Sequence, residues 1–165
     1  MANRTNLLMA LALAVAWPCA ADQIGKRTDP MREKTWWLAQ DGVIVRAPGG
    51  EKHIALPGWQ RVGDRYACPP ALAEGPLGEV LVTSNVLSSI WKIDPETLAV
   101  TVHELELDSD RDKDVGFSTL RYSSREGAWL AFSAAHGSTW RIDPTLRFAR
   151  RIAQQAERRM TCATR

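Results

Sequence analysis

The chain has 165 residues, 45% of them hydrophobic, with 21 Lys and Arg against 19 Asp and Glu. Setting aside a leader of 21 residues that contains Arg4 leaves 144 residues and a formal charge of +1, a balance that points to neither nucleic acid nor an acidic partner. That length suits one domain with a sizeable core, and no second long apolar run follows the leader, so a mature form without a membrane span is expected.

In chain order, Arg4 is the only charge among the first 21 residues, and Leu7 to Trp17 is an unbroken apolar run of 11 residues. Pro18 breaks it, and the small residues Cys19, Ala20 and Ala21 follow. A charged start, a short apolar run and a small-residue exit describe a secretory signal peptide over 1–21, cleaved near Ala21, which sends the mature chain to the periplasm or the medium. Residues 22–34 read as a polar N-terminal segment, with Ile24 and Met31 as its only aliphatic anchors.

Thr35–Gln40 is the first strand candidate. Asp41-Gly42 follows, a pair suited to the positive φ of a type I′ hairpin turn, and Val43–Arg46 returns. Two fuller copies come next. Gly78 to Ser84, a five-residue loop and Ile90 to Pro95 are matched by Gly127 to Ser133, five residues and Thr139 to Pro144, at an offset of 49 without a gap. Gly, Leu, Ser, Trp, Ile, Asp and Pro recur in register, and Arg46 aligns with Lys92 as a weaker first copy. Four short strands per copy are predicted: Cys68–Ala73, Val80–Ser84, Ile90–Ile93 and Ala99–Leu107, then Phe117–Tyr122, Trp129–Ser133, Trp140–Ile142 and Phe148–Ile152. The Asp-Pro after each third strand is turn chemistry, so Asp94 and Asp143 are read as turn formers.

Periods of 40 to 50 residues built from short strands indicate propeller blades. The stretch Val80 to Asn85, with Ile90-Trp91-Lys92-Ile93-Asp94-Pro95 and Thr97 behind it, resembles the YVTN-type repeat of bacterial exported β-propellers, to which NHL-like repeats are similar. The resemblance implies an all-β, propeller-like fold of three four-stranded antiparallel blades, at about 35–66, 67–107 and 115–155 within a repeat domain over 35–165. Such a chain is either a partial propeller or one half of a six-bladed dimer. Copy one lacks an evident inner strand, and Cys162 falls 94 residues after Cys68, close to two repeats. Met160–Thr164 is therefore expected to serve as the closing strand beside Thr35–Gln40, in its own chain or head to tail in a homodimer. Cys68 and Cys162 are a candidate disulfide in an oxidising compartment.

Candidate sites are few. Asp108, Asp110, Asp112 and Asp114 alternate as in calcium loops, whose carboxylates converge on one cation. Gly116 comes one place late, no Glu closes the loop, and Arg111 and Lys113 oppose a metal, so the run reads as a solvated connector and calcium is the one cofactor suggested. His136 lies in the loop between the second and third strands of copy three, where propeller ligands are met, and Asn85 and Glu74 stand at strand ends. Of the adjacent Trp36 and Trp37, one must face the core and the other solvent; Trp36 is taken as the candidate aromatic contact. Trp91 and Trp140, repeat-matched, read as core. Seven Arg between Arg141 and Arg165 read as charge that protects an edge strand. No nucleophile elbow, P-loop, dinucleotide fingerprint or Cys-x-x-Cys occurs. The expected function is an exported, non-catalytic binding or interaction module. The alternative is an enzyme or enzyme subunit of propeller type, either a metal-dependent lactonase-like hydrolase or a partner of a periplasmic redox protein.

Overall fold

A computed structural model describes residues 24–63, 68–108 and 115–154. The leader expected over 1–21, Asp110, Asp112, Asp114, Cys162 and Met160–Thr164 lie outside them. The described residues form strands and turns, with no helix. Blade one is β1 (Gly25–Asp29), β2 (Lys34–Leu38), β3 (Gly42–Ala47) and β4 (Gly50–Ala55), in that order. Blade two is β5 (Leu72–Glu74), β6 (Val80–Thr83), β7 (Ser89–Ile93) and β8 (Val100–Glu104). Blade three is β10 (Thr119–Ser123), β11 (Ala128–Ser133), β12 (Ser138–Ile142) and β13 (Phe148–Gln154), with β9 (Glu106–Leu107) added beyond β13. The inner strand β5 touches β1 on one side and β10 on the other, so the blades follow one another as an arc of a propeller.

Copy one corrects the sequence reading twice. The segment read as polar and strandless contains β1, which pairs with β2 from Gly25↔Leu38 to Asp29↔Lys34. The place beside Thr35–Gln40 reserved for Met160–Thr164 is thus already taken. The reason is that an inner strand near the ring axis needs backbone pairing more than apolar side chains: Gly25, Lys26, Arg27 and Thr28 supply the ladder, and only Asp29 is fully buried. The hairpin also turns one residue early. Ala39 N–H bonds to Gly42 O at 2.9 Å, so Gln40 and Asp41 form the tip, and neither has positive φ. Gly42 instead opens β3, where a Cβ would lie 2.4 Å from Ile54 O. Because side chains alternate along a strand, a slip of one residue exchanges faces. Val43 and Val45 face blade two, whereas Arg46 shares the opposite face with Ile44. Lys92 faces blade three with Leu81 and Ile90, so the Arg46–Lys92 equivalence does not hold in space.

Two seams hold the core. Between blades one and two, Trp36, Leu38, Val43 and Val45 meet Val80, Val82, Trp91 and Ile93. Between blades two and three, Leu81, Ile90 and Leu105 meet Phe117, Trp129, Trp140 and Ile142. The strand predicted over Ala99–Leu107 breaks at Leu105, whose side chain enters the second seam at 7% exposure. The chain then crosses to blade three, where β9 runs parallel to β13. Asp94 and Asp143 are turn formers, as expected. The Asp94 carboxylate accepts from Glu96 and Thr97 N–H, and that of Asp143 from Thr145, Arg147 and Phe148 N–H.

At the end of the arc formed by the β1–β2, β5–β6 and β7–β8 turns, Asp29 ties blade one together and Arg32 carries the tie to blade two. Asp29 is 2% exposed and accepts from Met31 N–H, Arg32 N–H and the Arg32 guanidinium. Arg32 also donates to Glu96 at 2.7 Å and to Leu77 O, while Lys34 donates to Pro95 O. Burial alone would raise the Asp29 pKa, but the bonds from Arg32 and Met31 outweigh it and hold the carboxyl below its usual range. A depressed carboxyl adds stability above the ordinary value of about 3.9, and that stability is lost as pH falls through the folded-state value. The stability advantage of wild type over Asp29→Asn, followed by urea unfolding, is therefore expected at neutral pH and to shrink below about pH 4. A gap that stays constant with pH would mean that Asp29 serves by shape alone.

Candidate functional site

The loops β2–β3, β6–β7 and β11–β12 and the connectors between blades gather at the opposite end of the arc, where the sequence places Asn85 and His136. The polar side chains of blade two there are engaged by the fold, while Ser133 Oγ, the counterpart of Ser84 on blade three, is buried without a hydrogen-bond partner among the described residues. Asn85 is 4% exposed; its Oδ1 accepts Val62 N–H at 2.9 Å and its Nδ2 donates to Val62 O and Cys68 O. Thr83 accepts Ala71 N–H and donates to Phe117 O at 2.6 Å. Ser84 donates to Gln60 O and accepts Val86 and Leu87 N–H. Together these groups pin the connectors on either side of blade two. Cys68 is disulfide-bonded.

The other expected residues are dispersed. His136 is exposed in the β11–β12 loop, and its carbonyl accepts from Gln154. His53 meets Asp41 at 3.2 Å on blade one, far along the chain from His136. Asp108 is exposed at the end of β9 and accepts Arg151 N–H, so it fastens the connector to β13. Among the described residues, no three His, Cys, Asp or Glu side chains converge on a metal position. Glu74 lies at the end with Asp29, where burial and the Asp29 charge push its carboxyl up. Trp36 is wholly buried, which moves the candidate aromatic contact to its neighbour. The pleat leaves no choice, since Trp36 shares the Leu38 face that packs on blade two and Trp37 takes the other.

Trp37 is half-buried on the face of blade one that turns away from blade two. Lys26 stands 5.7 Å and Arg46 5.1 Å from its ring, both within cation–π range. Ile44 is its register partner and His53 lies beyond Ile44, so the cross-strand row is Lys26, Trp37, Ile44 and His53.

The corresponding outer face of blade three was not read from the sequence. Register places Arg121 opposite Leu130, Leu130 opposite Arg141 and Arg141 opposite Arg150, one row across four strands. All three arginines are exposed, while Leu130 is only 9% exposed and Ala128 is buried. Half-buried Phe132 lies in the next row, opposite Thr119 and Thr139. Among the described residues, the one acidic contact in the row is Glu126 with Arg141, at 3.9 Å. A signal existed in the sequence, since Arg121, Arg141 and Arg150 have the parity opposite to Trp129, Ala131 and Trp140 once the strands are paired. It could not be used without the register.

These features define the class: an all-β chain of three propeller-type blades. No protein family and no curated protein sequence matches it. Among solved structures, it is similar to the β-propeller virginiamycin B lyase of Staphylococcus aureus, at 13% identity and TM-score 0.58, covering 78% of this chain and 40% of the lyase. A catalytically inactive variant of the lyase with quinupristin gives 12% identity and TM-score 0.60, covering 82% of this chain and 42% of that one. Dihydro-heme d1 dehydrogenase NirN gives 14% identity and TM-score 0.55, covering 79% of this chain and 28% of NirN. These likenesses concern the fold, and the chain spans about two fifths of the lyase's length.

Proposed function

We propose that the chain is an exported, non-catalytic β-propeller-like module that binds a partner through its outer sheet faces. One observation carries the reading. At the loop end, Thr83, Ser84 and Asn85 are bonded to backbone, whereas Trp37, Phe132 and a set of cations remain on the faces that end the arc. Polar groups already satisfied by the backbone would have to give up those bonds to hold a substrate or a metal. Half-exposed aromatic rings beside arginines, by contrast, are a composition enriched where proteins meet. Export rests on the 1–21 leader.

The test uses the full chain produced in a bacterial host. Protein from the periplasmic fraction is expected to begin at Asp22 and to carry no stoichiometric metal. An intact Met1 confined to the cytoplasm would overturn export. A bound calcium or zinc ion in each chain, together with hydrolysis of a lactone substrate, would overturn the non-catalytic reading.

A further inference from the structure

We propose that the outer face of blade three docks an acidic protein surface through the row Arg121, Arg141 and Arg150; this rests on the binding-module reading and names the chemistry of the partner. Strands in a sheet lie about 4.8 Å apart, so the Cα positions of the row span about 14 Å from Arg121 on β10 to Arg150 on β13. Arg141 and Arg150 are direct register partners. Like charges placed opposite one another weaken a sheet, so the pairing is a cost that the fold itself does not recover. Neither Arg121 nor Arg150 has an acidic partner among the described residues, and Glu126 reaches only Arg141.

Protection of an edge strand does not account for the row. Arg141 stands on β12 inside the sheet, Arg121 stands on β10 at its inner end, and only Arg150 is on β13, which β9 pairs at Phe148 and Ala149. The apolar contact on the face comes from half-buried Phe132 alongside the row, since Leu130 between Arg121 and Arg141 is only 9% exposed. Guanidinium groups match carboxylates in planar, bidentate fashion, and an apolar ring beside such donors fits a protein surface that offers apolar contact and carboxylates together. A second copy fits poorly. Closing a ring head to tail would bring this row against blade one's outer face, where Lys26 and Arg46 flank Trp37 and the Glu51 carboxylate is already bonded to Arg46 at 2.8 Å, so that the row would meet cations and a carboxylate already engaged.

The experiment uses the mature chain from Asp22 to Arg165 and three measurements: binding of poly-L-glutamate, binding of phosphatidylglycerol–phosphatidylcholine vesicles, and mass by sedimentation. Poly-L-glutamate is expected to bind and to lose about tenfold or more in affinity in the triple variant Arg121→Glu, Arg141→Glu, Arg150→Glu. The triple Arg27→Glu, Lys52→Glu, Arg147→Glu makes the same change in net charge elsewhere and is expected to leave binding within about twofold. Equal losses in both triples would reduce the effect to net charge and overturn the proposal. So would vesicle binding that needs the row in the absence of poly-L-glutamate binding, or a wild-type dimer that the first triple dissociates. Arg150→Glu alone guards against misfolding. It replaces a like-charge pair with an opposite one, so it is expected to raise the melting temperature while weakening poly-L-glutamate binding. A lower melting temperature with binding intact would make the row structural. Stoichiometric metal with an intact arginine response would sink the non-catalytic reading and leave this one standing.

Discussion

Replacing Trp91 or Trp140 by alanine is expected to lower stability by about 3–5 kcal/mol each, the range for fully buried large side chains. Trp91 is 1% and Trp140 0% exposed, and each fills one seam. The Trp91 indole N–H donates to Pro57 O at 2.7 Å, so truncation also strands a carbonyl of the connector. Trp140 donates to Ser138 Oγ and meets Phe117 edge-on at 6.2 Å between ring centres. In an arc, each seam is the main apolar junction between two blades, so a cavity there separates blades as well as weakening one of them. Urea unfolding of both variants checks the expectation. A loss below about 1 kcal/mol in both would place these rings at the surface.

Gly116→Ala is expected to be comparably damaging, at about 3 kcal/mol or more. A Cβ at Gly116 would fall 1.9 Å from the Asn85 carbonyl carbon, 2.2 Å from Val86 N and 2.3 Å from Asn85 O. All three are backbone atoms, so no side chain can swing aside. They belong to the loop whose Asn85 holds Val62 and Cys68, so the displacement would pass from the second seam into the first connector. Gly49→Ala, with open space around its Cβ, is the control and should lie within about 0.5 kcal/mol of wild type. Equal melting temperatures for the two variants would show that the close approach at Gly116 is dispensable.

The sequence by itself determined the repeats. Hydrophobic alternation and the Asp-Pro turns are local, and a strand buried on one or both faces must show its period along the chain. Copies two and three, their offset of 49, the two core tryptophans and the turn roles of Asp94 and Asp143 were therefore legible. Two readings failed for one physical reason, that pairing partners are not written locally. β1 has little apolar signal because its backbone is satisfied by β2, and only tertiary structure shows that the slot is full. The hairpin at Gln40-Asp41 slipped one residue from the expected Asp41-Gly42, and a slip of one decides which side of a strand faces the core.

The candidate site divides in the same way. Asn85 was visible as a strand-end polar residue, but whether its amide is open to a ligand or engaged by Val62 and Cys68 depends on where a connector folds back. A formal net charge of +2 hid the arginine row altogether, because charge summed along a chain carries no record of which side chains share a face. Arg121, Arg141 and Arg150 are 20 and 9 residues apart in sequence and become one line only when β10, β11, β12 and β13 pair in register. Periodicity is a property of a strand and can be read from it; adjacency across strands is a property of the sheet, fixed by hydrogen-bond register and seam packing.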